Sequence, residues 1–252
     1  MKQNYLFRIV VLFLLGSSLN ACGSPRMEQA SPLQLEEHPL AGAPQPEAYR
    51  FQPLDGSQQE VLATHAQDRA RVFAVETGMV EGNPSITSLG ESSDLLAVLV
   101  PAAPGSQAQS VRVLRGEETL LETQAGLPSP VLPLQGLWTY DGHWALEILL
   151  ADQDTWAGQV FIDGELVNER QGYDEAFGFQ LIAGKPFYFF RRDGQLGYAY
   201  DGEETLLDYD EIPHYRCCGE GSLNPLQAEQ MVAFFGVQDD NWFYVELGDF
   251  SG

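Results

Sequence analysis

"AFGFQLIAGKPFYFFRRDGQLGYAYDGEETLLD", residues 176–208, holds both kinds of segment from which the folded part of this chain is built. Residues 176–192 read as an apolar strand, a tight turn and a second, more apolar strand. Residues 196–208 read as a strand, a turn centred on Asp201-Gly202 and a strand with a charged and apolar tail. Asp-Gly is favoured in two-residue hairpin turns because both central positions take positive φ at low cost. The apolar stretches are short and Gly and Pro are frequent, which indicates β structure rather than helix.

The same two kinds alternate along the chain. The apolar kind recurs as "LQGLWTYDGHWALEILL" (134–150) and "MVAFFGVQDDNWFYVELG" (231–248), with a divergent copy from "RVFAVETG" (71–78) to "DLLAVLV" (94–100). The other kind recurs as "YRFQPLDGSQQEVLAT" (49–64), "VRVLRGEETLLET" (111–123) and "GQVFIDGELVNER" (158–170). Four pairs result, about 45–50 residues each, which is the spacing of propeller blades. If every blade needs both kinds, the terminal hairpins 49–64 and 231–248 must meet to complete one.

"ALEILL", "PFYFF" and "NWFYVEL" are near-continuous apolar runs, as expected where both faces of a sheet are covered. Trp144, Phe187, Phe189, Trp242 and Tyr244 are expected to fill the space between sheets rather than to form a ligand platform. The expected fold is all-β: a propeller-like ring of about four blades, with a β-sandwich or other stacked-sheet fold as the alternative. A short helix is expected around Leu62–Arg71 and a turn near Leu226–Met231.

Lys and Arg total 13 against 36 Asp and Glu, for a net charge of -23. Phosphate binding needs a basic patch and none is present, which argues against a nucleic-acid partner. The acidity reads as solubility, because no Asp-x-Asp-x-Asp-Gly calcium loop occurs.

Met1–Ala21 runs from Lys2 and Arg8 through "IVVLFLL" to small and polar residues, the pattern of a secretory signal peptide. It ends in "LNAC", Leu19 to Cys22, which resembles a bacterial lipobox. The resemblance covers this export segment alone. It implies cleavage before Cys22 and diacylation of the Cys22 thiol, hence a lipid-anchored protein on the extracytoplasmic side of a membrane. Loss of Lys2 and Arg8 takes the net charge to -25. Residues 22–48 are Pro-rich and hold no aromatic residue, and are expected to be a disordered tether. Residues 49–252 are expected to be the folded domain, a monomer.

The connection "YDEIPHYRCCGEGSLNPLQAEQ" (209–230) interrupts the repeat and is the expected binding loop, with His214, Tyr215, Arg216 and Asn224 as candidate contacts for a protein or small-molecule ligand. Cys217 and Cys218 are adjacent, and four readings compete. One is a vicinal disulfide, strained because a trans peptide sets the Cα atoms about 3.8 Å apart where disulfides span about 4.4–6.8 Å. The second is a soft Cu or Zn site completed by His214. The third is a pair of buried thiols, and the fourth a redox pair, although the usual dithiol motif spaces its cysteines by two residues.

No Gly-x-Ser-x-Gly, His-Glu-x-x-His or phosphate-loop pattern occurs, and no catalytic residue or cofactor is assigned. Of the four histidines only His214 lies near unusual chemistry. The expectation is a membrane-anchored binding module. A hydrolase acting through acidic residues and a soft-metal handling protein are the alternatives.

Overall fold

The computed structural model describes residues 33–44, 76–77, 88–92, 94–152, 155–216, 221 and 224–249. The signal peptide, Cys22, the 49–64 hairpin, the Leu62–Arg71 segment, Cys217 and Cys218 lie outside the described residues. The described chain is all-β, with strands β1 (Gln34–Pro39), β2 (Glu76–Thr77), β3 (Ser88–Ser92), β4 (Leu95–Pro101), β5 (Gln109–Arg115), β6 (Glu118–Gly126), β7 (Leu134–Tyr140), β8 (His143–Ala151), β9 (Trp156–Ile162) and β10 (Glu165–Leu166), then a single helical turn α1 (Val167–Gln171). It continues through β11 (Glu175–Ile182), β12 (Lys185–Arg192), β13 (Gln195–Tyr200), β14 (Glu203–Leu206), β15 (Leu226–Gln227), β16 (Met231–Gln238) and β17 (Asn241–Gly248). No long apolar helix crosses a membrane among the described residues.

The hairpins follow the sequence pattern because their turns hold the required residues. Asp141-Gly142, Asp163-Gly164, Asp193-Gly194 and Asp201-Gly202 all take positive φ at both positions, the geometry that matches the twist of the flanking strands. Successive hairpins then join into antiparallel runs. β11-β12-β13-β14 form one four-stranded sheet. β2 to β6 and β7 to β10 form two such runs that share a sheet through one parallel pair, Gly126 with Ala151. Gly126 is required there, since a Cβ would lie 1.9 Å from the Ala151 carbonyl oxygen. The last sheet has the order β1-β17-β16-β15. No sheet closes on itself among the described residues.

The runs stack face to face, and strand alternation explains how. In β8, Trp144, Leu146 and Ile148 join a core with Leu95, Val111, Val113 and Ala125 of β4 to β6. Ala145, on the opposite face of β8, joins a second core with Phe179, Tyr188 and Phe190 of β11 and β12. In β12 the alternate residues Phe187 and Phe189 turn the other way, and Phe189 meets Phe234 of β16 at 5.1 Å between ring centroids. Burial on both faces accounts for the unbroken apolar runs. Each large side chain so buried contributes about 1.5–3 kcal/mol of transfer free energy.

Two expectations are corrected. Residues 34–39 are not tether: β1 pairs antiparallel with β17 along its whole length, from Gln34 opposite Gly248 to Pro39 opposite Phe243. Its side chains are exposed, so the strand is held through its backbone ladder and through Tyr209, whose hydroxyl donates to Glu37 Oε2 at 2.7 Å. The second strand of the 158–170 hairpin also stops early. β10 has two residues, and the chain then winds into α1, where the Asn168 amide accepts from Val160 N–H and donates to the Gly158 carbonyl of β9. One side chain there replaces the ladder a longer strand would have made.

Candidate functional site

The connection from β14 to β15 is fixed against three sheets by the side chains it carries. Val237 of β16 bonds to Asp210 and Glu211 through the backbone, and Ile212 is fully buried. His214 and Tyr215 then reach inward to two different carboxylates.

The first is Glu147, the one charged residue in the apolar run of β8, on the face that meets β11. At Gly178 the register of β11 against β12 shifts, between Phe177 and Gln180, and Gly178 takes φ +66. Such a bulge leaves ladder donors unpaired. Glu147 Oε1 accepts from Gly178 N–H at 3.0 Å and Oε2 from Phe179 N–H at 2.6 Å. The Tyr215 hydroxyl donates to the same Oε1. Burial pushes the Glu147 carboxyl above its ordinary range, although the hydrogen bonds from Tyr215, Phe179 and Gly178 oppose the shift. The Tyr215 phenol is pushed well up by burial and by the Glu147 charge.

The second is Glu175, at the start of β11. Its Oε1 accepts from Gly158 N–H at 3.0 Å and from His214 Nε2 at 3.0 Å. His214 Nδ1 meets the Ile212 carbonyl at 2.6 Å, and its ring lies flat on Phe177, 3.6 Å between centroids and 2° between planes. Burial alone would raise the Glu175 carboxyl, but the hydrogen bond and charge of His214, with Gly158 N–H and Arg191, bring it below the usual value. The two carboxylates are therefore displaced in opposite directions by what surrounds them.

Two clefts open on either side of Tyr215 and Arg216. The inner cleft, about 180 Å³, is lined by Gln135, Trp138, Glu147, Asn224, Gln227 and the Tyr215–Arg216 segment, among others. The outer cleft, about 250 Å³, is lined by Trp156, Glu175, Arg191, Glu211, Ile212, His214, Tyr215 and Arg216. Tyr215 takes φ +52, which turns the chain between the two. Gly158 sits beneath this segment, and a Cβ there would lie 2.7 Å from the Tyr215 hydroxyl oxygen and 2.4 Å from the Ala176 carbonyl oxygen.

Of the four expected contacts, Tyr215 and Arg216 line both clefts, His214 the outer one and Asn224 the inner one. Asn224 is engaged structurally, its side-chain amide bonding both the N–H and the carbonyl of Phe235. Both ring nitrogens of His214 likewise already face oxygens, so a metal at this residue would have to displace one of them. Among the described residues no group of three metal-ligating side chains occurs. Sequence reasoning missed Glu147, Glu175, Trp156 and Arg191. Glu147 alone carried a usable signal, a lone carboxylate inside "ALEILL" where both strand faces are covered.

No protein-family model, no curated protein and no solved structure matches this chain.

Proposed function

We propose that this protein is a membrane-anchored, extracytoplasmic binding module that takes a small ligand in the clefts flanking Tyr215 and Arg216. The observation that carries the reading is the double anchorage of one loop. Tyr215 is tied to buried Glu147 and His214 to Glu175, so the segment between the clefts is held rigidly, as pre-organised recognition requires. The anchor rests on the lipobox-like Leu19–Cys22. Arrangement of the stacked runs as a propeller-like ring belongs to the same proposal. It is supported by the two-faced burial of the inner runs and by an N-terminal strand completing the last one, as ring closure needs.

A hydrolase is the second reading, favoured by one observation: the Glu147 and Glu175 carboxyls are displaced in opposite directions, as an acid and a base would be, although they line different clefts. It is the weaker reading because three donors already occupy the Glu147 oxygens. The test is a binding screen and a turnover screen on the same full-length protein in detergent, using saccharides, peptides and chromogenic esters and glycosides. Saturable binding weakened by Tyr215→Ala, without turnover, supports the module. Turnover abolished by Glu147→Gln or Glu175→Gln overturns it in favour of the hydrolase. Loss of metabolic palmitate labelling and of membrane fractionation in Cys22→Ala is the expected result for the anchor, and unchanged fractionation would remove it.

A further inference from the structure

Seven Lys and Arg residues are described, and six of them lie within 4 Å of a carboxylate: Arg112, Arg115, Arg170, Lys185, Arg192 and Arg216. Arg191 is the exception. Among the described residues its guanidinium makes one hydrogen bond, a 3.5 Å contact from Nη1 to the Asp210 carbonyl. Carboxylates outnumber cations in this chain by 36 to 13, so an Arg without an ion-pair partner is not a shortage of acids. Its cross-strand neighbour is Glu175, which feels the Arg191 charge but lies beyond ion-pair distance of it and spends Oε1 on Gly158 and His214. Glu211, the other acid of the outer cleft, is paired with Arg216 at 2.7 Å.

Arg191 lines the outer cleft together with Trp156. Trp156 is 40 % exposed, whereas Trp138 and Trp144 are buried at 9 % and 6 %. A guanidinium with no carboxylate within 4 Å among the described residues and a partly exposed indole thus share one cavity of about 250 Å³. A planar guanidinium matches a carboxylate in geometry, and an exposed indole suits the flat apolar face of a ring. The negative field of the remaining surface disfavours anions elsewhere, so a local cation in a cavity is selective as well as attractive.

We infer that the outer cleft binds a small ring compound bearing a carboxylate, with Arg191 receiving the carboxylate and Trp156 stacking on the ring. The cavity has room for a single ring. This rests on the binding-module reading above and gives it a ligand class. Arg191 and Trp156 are the ligand-contacting positions in it, while His214 and Glu175 position the wall behind them.

The experiment is a titration of the Trp156 indole N–H resonance in the full chain, with glucuronate against glucose and benzoate against benzyl alcohol as matched pairs. The expected result is a saturable shift with the acid of at least one pair and binding of its neutral analogue weaker by roughly ten-fold or more. The pair giving the stronger shift distinguishes a saccharide acid from an aromatic one. Arg191→Gln should weaken the acid about ten-fold and Arg191→Lys less, with unfolding midpoints unchanged. Should Arg191→Gln fail to fold, the acid-to-neutral ratio in the unsubstituted protein decides. Equal binding of acid and neutral analogue, or indifference to Arg191→Gln, overturns the carboxylate assignment and leaves the module standing. No shift by any of the four overturns it too, and turnover dependent on Glu147 or Glu175 would take down both readings together.

Discussion

The inner and outer clefts share a wall, Tyr215 and Arg216, yet they are built on opposite electrostatic terms. In the inner cleft Glu147 is fully enclosed and burial dominates, so its carboxyl is raised despite three donors. In the outer cleft burial is again the largest influence on Glu175, but His214, Gly158 N–H and Arg191 together outweigh it. The contrast shows what each carboxylate is for. Glu147 satisfies the two stranded N–H groups of the β11 bulge and ties β8 to β11 and to the loop. Glu175 orients a histidine whose ring backs a solvent-open cavity. One is an internal rivet, and the other is a bracket for a surface.

Glu147→Ala should break the comparison most severely. It leaves Gly178 N–H, Phe179 N–H and the Tyr215 hydroxyl without their acceptor, and a loss of about 3–5 kcal/mol is expected in urea unfolding. Gly158→Ala should follow at about 3 kcal/mol, because its Cβ would collide with both the Ala176 carbonyl and the Tyr215 hydroxyl and so disturb both clefts. Its unfolding midpoint is the direct measurement, and a value unchanged from the parent would show that the loop is not seated on β9.

The pH dependence sharpens the contrast. A carboxyl raised on folding, as Glu147 is, stabilises the fold below its unfolded pKa of about 4.5 and loses that contribution as pH rises through the folded value. A carboxyl lowered on folding, as Glu175 is, stabilises above its unfolded pKa of about 4.5 and loses that contribution as pH falls through the folded value. Glu147→Gln should therefore flatten the stability profile on the side above pH 4.5, and Glu175→Gln on the side below it. Urea midpoints across pH 3 to 8 measure both, and identical profiles for the two variants would remove the distinction. Trp156→Ala should have the smallest effect on stability, about 1 kcal/mol or less, because the indole is the most exposed of the side chains at stake, at 40 %. Its thermal midpoint should fall by less than those of the other variants, while binding in the outer cleft is lost.

The hairpins were legible because their information is local. Asp201-Gly202 specifies its turn in two residues, and "PFYFF" betrays a sheet covered on both sides. β1 was hidden for the opposite reason: "QLEEHP" contributes little apolar surface and is held by hydrogen bonds to β17, a partner some two hundred residues away that composition does not reveal. α1 was hidden because one amide, Asn168, substitutes for a strand edge. At the site, the composition of residues 209–225 marked the loop and so found His214, Tyr215 and Arg216. Trp156 and Arg191 belong to β9 and β12, far apart in sequence, and nothing in either strand says that the other faces the same cavity. Glu147 was visible as an oddity in its run, but its meaning depends on a bulge in a different sheet.

The pairing of β1 with β17 also says something about chain connectivity. Gln34 stands directly opposite Gly248, about 5 Å away across an antiparallel ladder, so in space β1 is simply the strand that follows β17. A few residues joining Gly248 to Gln34 would make an ordinary hairpin of the two. The backbone could then be opened at the exposed Asp193-Gly194 turn. For this fold, circular permutation moves the ends of the polypeptide without moving a strand.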